Sequence, residues 1–154
     1  MTLDYKLDRV DWHILQLLQE NGRFTYAEIG RAVGLSAPAV AERIHRLEEA
    51  DLIEGYHAQI NPAKVGLHVL AFVRVSVPRE KYPKFTVLVN QLPQVMECHH
   101  VTGVEAFILK VAVASVEELE RLVEQVGKYG ATMTSVVMSS PVKRRTLTEE
   151  TARS

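Results

Sequence analysis

Two groups of side chains in this sequence have the types and spacing to do chemistry. One is the run from Ser36 to Arg46, in which Ser36, Ala37, Pro38 and Ala39 precede Glu42, Arg43 and Arg46. Short side chains at a helix start let backbone amides and base edges approach closely, and the longer arginines reach further along a DNA groove. Arg23 and Arg31 add cations ahead of this run. The other group is Cys98-His99-His100. On a strand, Cys98 and His100 share one face while His99 points to the opposite one. At most two ligands converge, a structural zinc needs four, and nothing spaced suitably supplies the rest. A nucleophilic cysteine is no better supported, because no separate base and orienting acid accompany it. No Gly-rich phosphate loop, Gly-x-Ser-x-Gly elbow or His-Glu-x-x-His pair occurs. The sequence therefore predicts no enzyme, no metal site and no cofactor.

The elements that position the first group are legible. Asp8 can cap a helix whose apolar stripe is Val10, Ile14, Leu17 and Leu18, with Asp11 favourable in the positive first turn. Asn21-Gly22 ends it. Thr25 and Glu28 are spaced as a capping box for a short second helix that stops at Gly34. Ser36 caps a third helix with Pro38 in its first turn. Val40, Ile44 and Leu47 form its inward stripe. At 100° per residue the opposite face carries Pro38, Ala39, Glu42, His45 and Arg46, with Arg43 on the flank. Two short helices joined through Gly34-Leu35-Ser36 describe a helix-turn-helix. The same pattern also fits a plain three-helix bundle with no nucleic-acid role. Leu52 to Ile60 alternates around Gly55, as a small wing or as the connection out of the domain.

The second half has a doubled pattern. Val69, Ala71, Val73, Val75 and Val77 alternate as a strand. A helix follows with Phe85, Leu88, Val89 and Leu92 on one face. Strands are predicted over 95–102 and 107–113, a second helix after a capping box at Ser115 and Glu118, and a fourth strand over 132–139. The helical stripe 119, 122, 123, 126 repeats the first one at a constant offset of 34. This β-α-β, β-α-β order is the ferredoxin-like split βαβ plait, in an α+β protein. Both helices would cover one sheet face, leaving the other to bury its apolar side chains by dimerisation.

The chain has 154 residues, 47% hydrophobic and 24% charged, which excludes a disordered chain. The lone Cys98 fits a reducing cytoplasm, no apolar run reaches membrane-spanning length, and Met1-Thr2-Leu3-Asp4 opens no signal peptide. A net charge of −1 conceals −4 over residues 1–60 and +3 over residues 61–154. The shift at Asn61-Pro62 marks a boundary. The predicted organisation is a helix-turn-helix domain over 1–60, a linker over 61–66, a sensing and oligomerisation domain over 67–140 and a tail over 141–154. Lys143-Arg144-Arg145 in that tail could touch DNA, but a solubilising end is the preferred reading.

These residues resemble the Lrp/AsnC, or feast/famine, transcriptional regulators. The resemblance is carried by Leu7 to Leu15, Leu18 to Arg23, Val33 to Pro38, Glu42 to Ile44, Arg46 to Glu48 and Ile53 to Tyr56. In the second half it rests on Leu92 to Val95 and Glu97 to Gly103. It implies a winged helix-turn-helix reader joined to a ferredoxin-like ligand-sensing domain. It also implies dimers, commonly assembled to octamers, on double-stranded promoter DNA. Ser36, the backbone near Ala37 and Arg46 would position the helix on phosphates, with Arg43 and Ala39 nearer the bases. An amino-acid effector would bind between dimers, with Thr102, Gly103, Glu105, Thr132 and Thr134 as the candidate lining. Where the family shows an Asp-Tyr-Asp-like run, this chain has Val104-Glu105-Ala106, which removes expected partners for an effector's ammonium group. The alternatives are a small-molecule sensor or protein-interaction module without DNA binding, or a mainly architectural DNA-wrapping protein.

Overall fold

The computed structural model describes residues 5–153, so Met1-Thr2-Leu3-Asp4 lies outside the described residues. The chain forms two compact units. One runs to Gln59 and takes in the segment from Val142 onward, and the other spans Ile60–Pro141. The last segment thus belongs with the first unit, where the sequence sets it apart as a tail.

The first unit holds three helices, α1 (Arg9–Glu20), α2 (Tyr26–Val33) and α3 (Ala37–Glu49). Each starts where a side chain satisfies amides that the helix cannot. Asp8 accepts from the Asp11 amide at 2.8 Å, and Asp11 returns the bond by accepting from the Asp8 amide at 3.0 Å. Thr25 and Glu28 form the same reciprocal box on α2, at 3.2 and 2.7 Å. Ser36 Oγ accepts from the Ala39 amide at 3.4 Å to open α3. The predicted stripes meet in one core of Ile14, Ile29, Val40, Ile44 and Leu47, rimmed by Val10, Leu17, Leu18, Val33, Leu35 and Ile53. Two glycines make the α2–α3 turn tight. Gly34 ends α2 with φ 74°, a left-handed conformation that costs other residues free energy. A Cβ on Gly30 would run into the Leu35 carbonyl. Of the two readings of residues 52–60, wing or connection, the chain takes the connection. Residues 52–60 carry no strand, and Tyr56 instead folds back so that its hydroxyl donates to Glu48 Oε1 at 2.9 Å. Alternation over one short segment supplies no partner strand, and a lone strand leaves its amides unpaired.

The second unit contains β1 (Val69–Ser76), α4 (Tyr82–Gln91), β2 (Val95–His100), β3 (Phe107–Val113), α5 (Val116–Gly127) and β4 (Ala131–Val136). The sheet is antiparallel in the order β2-β3-β1-β4, the ferredoxin-like arrangement. Ala71, Val73 and Val75 sit opposite Val111, Leu109 and Phe107, and these residues are buried with Phe85, Val89, Leu119, Leu122 and Val126 from the two helices. The constant offset of 34 therefore reflects two helices packed on one face. β2 stops at His100, short of the expected Thr102, and one further bond in the same register, from the Val101 amide to the Ala106 carbonyl at 2.8 Å, closes the turn into β3. β4 spans 131–136 instead of 132–139; its ladder with β1 ends at the Ala71–Val136 pair, followed by one bond from the Val137 amide to the Leu70 carbonyl. The box at the start of α5 is half formed. Ser115 Oγ accepts from the Glu118 amide, but the Glu118 carboxylate accepts from the Ala114 amide at 2.9 Å rather than from Ser115. On the far face of the sheet, Phe72 and Met133 remain 40% and 51% exposed.

Candidate nucleic-acid interface

The α2–α3 turn sets α3 so that its buried stripe of Val40, Ile44 and Leu47 fixes which side faces out. Pro38, Glu42, His45 and Arg46 are exposed on that outer side, Ser36 is exposed at its start, and Ala37 and Ala39 are half-buried. The first turn is thus low and smooth, with Ser36 and the helix amides at its positive end. Arg46 Nε and Nη2 donate to Glu42 Oε1 at 3.0 and 2.9 Å, an exposed pair one turn apart. Such a pair adds little stability, so its guanidinium can be exchanged onto a phosphate at small cost. Arg23 is exposed in the turn after α1, where its amide donates to Asn21 Oδ1 at 3.0 Å.

Arg43 departs from the sequence expectation. Its Nη1 donates to Asp8 Oδ2 and Asp11 Oδ1, each at 2.7 Å, and so turns toward the N-terminus of α1 rather than the outer face of α3. Asp11 is only 2% exposed and also accepts from the Tyr5 hydroxyl at 3.4 Å. The Asp11 amide, and after it the Arg43 guanidinium, hold the Asp8 carboxyl below its ordinary pKa. The two carboxylates in turn hold Arg43 firmly in its charged form. A buried carboxylate demands a cation, and the flank position of Arg43 makes it the nearest one. Sequence reasoning gave Asp11 only a first-turn role. The available signal was an acidic residue beside the apolar stripe of α1, facing the flank of α3.

The residues expected around an effector do not converge within one chain. Thr102, Gly103 and Glu105 lie in the β2–β3 turn, and Thr132 and Thr134 lie on β4. Thr132 is opposite Val75, which is opposite Phe107, so two strand spacings, about 10 Å, separate Thr132 from Phe107. Thr134 lines a shallow cleft with Leu119, Glu120, Val123 and Glu124. At Cys98-His99-His100 the register places Cys98 opposite Leu109 and His100 opposite Phe107 on the helix side, and His99 opposite Ile108. His100 packs against the rings of Tyr82 and Phe107 at centroid distances of 5.1 and 5.0 Å. Burial pushes the Cys98 thiol pKa up, the opposite of what a reactive thiolate needs. Among the described residues no group of three or more His, Cys, Asp or Glu side chains could hold a metal ion. Among them, too, no helix is long and apolar enough to cross a membrane.

Known proteins share this arrangement. Residues 7–48 match the AsnC-type helix-turn-helix domain, and residues 70–147 match the Lrp/AsnC ligand binding domain. The uncharacterised HTH-type transcriptional regulator YezC of Bacillus subtilis is 38% identical over 134 residues, which cover 87% of this chain and 95% of that one. The structure of Bacillus subtilis LrpC superposes with a TM-score of 0.86 at 30% identity, covering 91% of this chain and 100% of the other. A transcriptional regulator of Neisseria meningitidis, solved as a complex with L-Met, gives a TM-score of 0.86 at 30% identity, covering 92% of this chain and 96% of that one.

Proposed function

The chain belongs to the Lrp/AsnC family of DNA-binding transcriptional regulators, and on that premise we propose how it engages promoter DNA and what controls it. The outer face of α3 enters the major groove. Ser36, the amides near Ala37, and Arg46 grip phosphates, Ala39 and Pro38 lie nearest the base edges, and Glu42 releases Arg46 as DNA arrives. Arg23 adds a phosphate contact. Arg43 acts differently, tying α3 to α1 through Asp8 and Asp11 and so fixing the angle at which the reader is presented. The observation that carries this reading is the sidedness of α3, with Val40, Ile44 and Leu47 buried and Pro38, Glu42 and Arg46 exposed. A homodimer, assembling further to an octamer, would present its helices to successive major grooves about 34 Å apart. Footprinting the full chain on the DNA upstream of its own gene should show two protected half-sites about one helical turn apart. No protection at low salt would overturn the reading.

We further propose an amino-acid effector bound where chains of different dimers meet, with Thr102, Gly103 and Glu105 from one chain and Thr132 and Thr134 from another. The L-Met complex of the Neisseria neighbour supports this class of ligand. With Val104-Glu105-Ala106 in this turn, Glu105 is the carboxylate left to meet the ammonium group. A panel of amino acids tested by thermal shift should contain at least one that raises the midpoint of the full chain and fails to raise that of Glu105→Gln. A panel that raises neither overturns the proposal.

A further inference from the structure

Lys143, Arg144 and Arg145 are the densest run of positive charge in the chain. All three are exposed, and among the described residues none of them makes an ion pair. As part of a free tail they would only solubilise the protein. The structure, however, fastens the segment that follows them. The Leu147 amide donates to Gln19 Oε1 at 2.9 Å, and Gln19 Nε2 donates to the Leu147 carbonyl at 3.0 Å. One side-chain amide thus takes both hydrogen-bonding groups of one backbone residue, as a neighbouring strand would. Beyond this anchor, Thr148 and Ala152 line a cleft with Leu7, Trp12 and Leu15, and a short helix α6 (Glu149–Arg153) closes the chain. Gln19 belongs to the last turn of α1, and Arg23 lies in the turn that follows it. Arg145 is two residues from Leu147, a reach of about 7 Å. The run of cations therefore begins within that reach of the anchor on the last turn of α1, and Arg23 lies in the turn that follows.

The helix-turn-helix domain needs such a contribution. Residues 1–60 carry a net charge of −4, and the outward Arg46 is shared with Glu42 while Arg43 is committed to Asp8 and Asp11. Affinity for a duplex rests largely on neutralising phosphates, which these few arginines supply poorly. We propose that Lys143, Arg144 and Arg145, pinned to the DNA-reading unit by the Gln19–Leu147 pair, form a second, sequence-independent contact with DNA phosphates. This inference rests on the DNA-binding reading above.

The test is equilibrium binding of the full chain to two duplexes, its own upstream DNA and a random sequence, from about 50 to 200 mM salt. The K143A/R144A/R145A variant should bind both duplexes more weakly by a similar factor. Its plot of log affinity against log salt should be flatter by up to about 2.7, the share of three released counterions. Gln19→Ala, which keeps every charge, should weaken both duplexes as well, because the cations are no longer held in place. A triple variant with wild-type affinity and slope overturns the inference and leaves the run as a solubilising end or a contact for another acidic macromolecule. Wild-type affinity in Gln19→Ala overturns the pinning. Absence of wild-type binding to the upstream duplex at low salt overturns the DNA reading itself, and this inference with it.

Discussion

At the scale of single residues, Asp11 and Arg43 decide how the recognition helix is held. Arg43→Ala would leave Asp11 buried without its cation, which costs about 2–3 kcal/mol. Chemical denaturation should show that loss, and Arg43→Lys should recover only part of it, since the shorter lysine stem cannot carry its ammonium to where Arg43 Nη1 donates to both carboxylates. Asp8 adds a pH dependence. Its pKa is lowered in the folded chain, so its contribution is full above about pH 4 and disappears as pH falls through the lowered value. Asp8→Asn should therefore narrow the stability gap between neutral and acid solution, and an unchanged gap would argue against this role. The outward position of Arg46 is legible in the sequence because 100° geometry places it opposite a clear apolar stripe, and that of Ser36 because it caps the helix. Arg43 is not, because a flank residue's direction is set by a partner 32 residues away at Asp11.

At the scale of elements, local chemistry wrote most of the outline. Asp8, Thr25 and Ser36 start α1, α2 and α3 where capping predicts. Where structure depends on a distant partner, the outline fails. Residues 52–60 alternate like a strand yet pair with none in this chain, and β4 ends at Val136, short of the apolar alternation that continues past it. The α2–α3 turn is the most sensitive joint. Gly30→Ala would force a Cβ against the Leu35 carbonyl and cost about 2 kcal/mol, shifting α3 as the backbone gives way. Both a lowered thermal midpoint and weakened DNA binding are expected from that one methyl. Gly34→Ala, with open space around it but left-handed backbone, should cost only about 1 kcal/mol.

At the scale of the whole molecule, the uncovered face of the sheet and the charge distribution matter together. Phe72 and Met133 lie exposed on the face that carries no helix. A second copy laid on that face would bury them, so Phe72→Asp should lower the mass of the full chain in sedimentation from dimer or larger toward monomer. A mass unchanged by Phe72→Asp would place the contact elsewhere. The doubled plait was readable because its two helices repeat one stripe, whereas the docking of 147–153 on α1 was not, because no periodicity announces a single glutamine reaching a distant peptide. The near-zero net charge averages an acidic reader with a basic remainder, so each chain should bind DNA modestly and several together firmly. All of this depends on the outer face of α3 touching DNA. The most direct measurement is the affinity of Arg46→Ala for the upstream duplex, compared with wild type at one salt concentration. Loss of a charge-assisted contact predicts about 1–3 kcal/mol, or roughly 5- to 150-fold weaker binding, with the fold intact. Equal affinity in a folded variant would contradict the account.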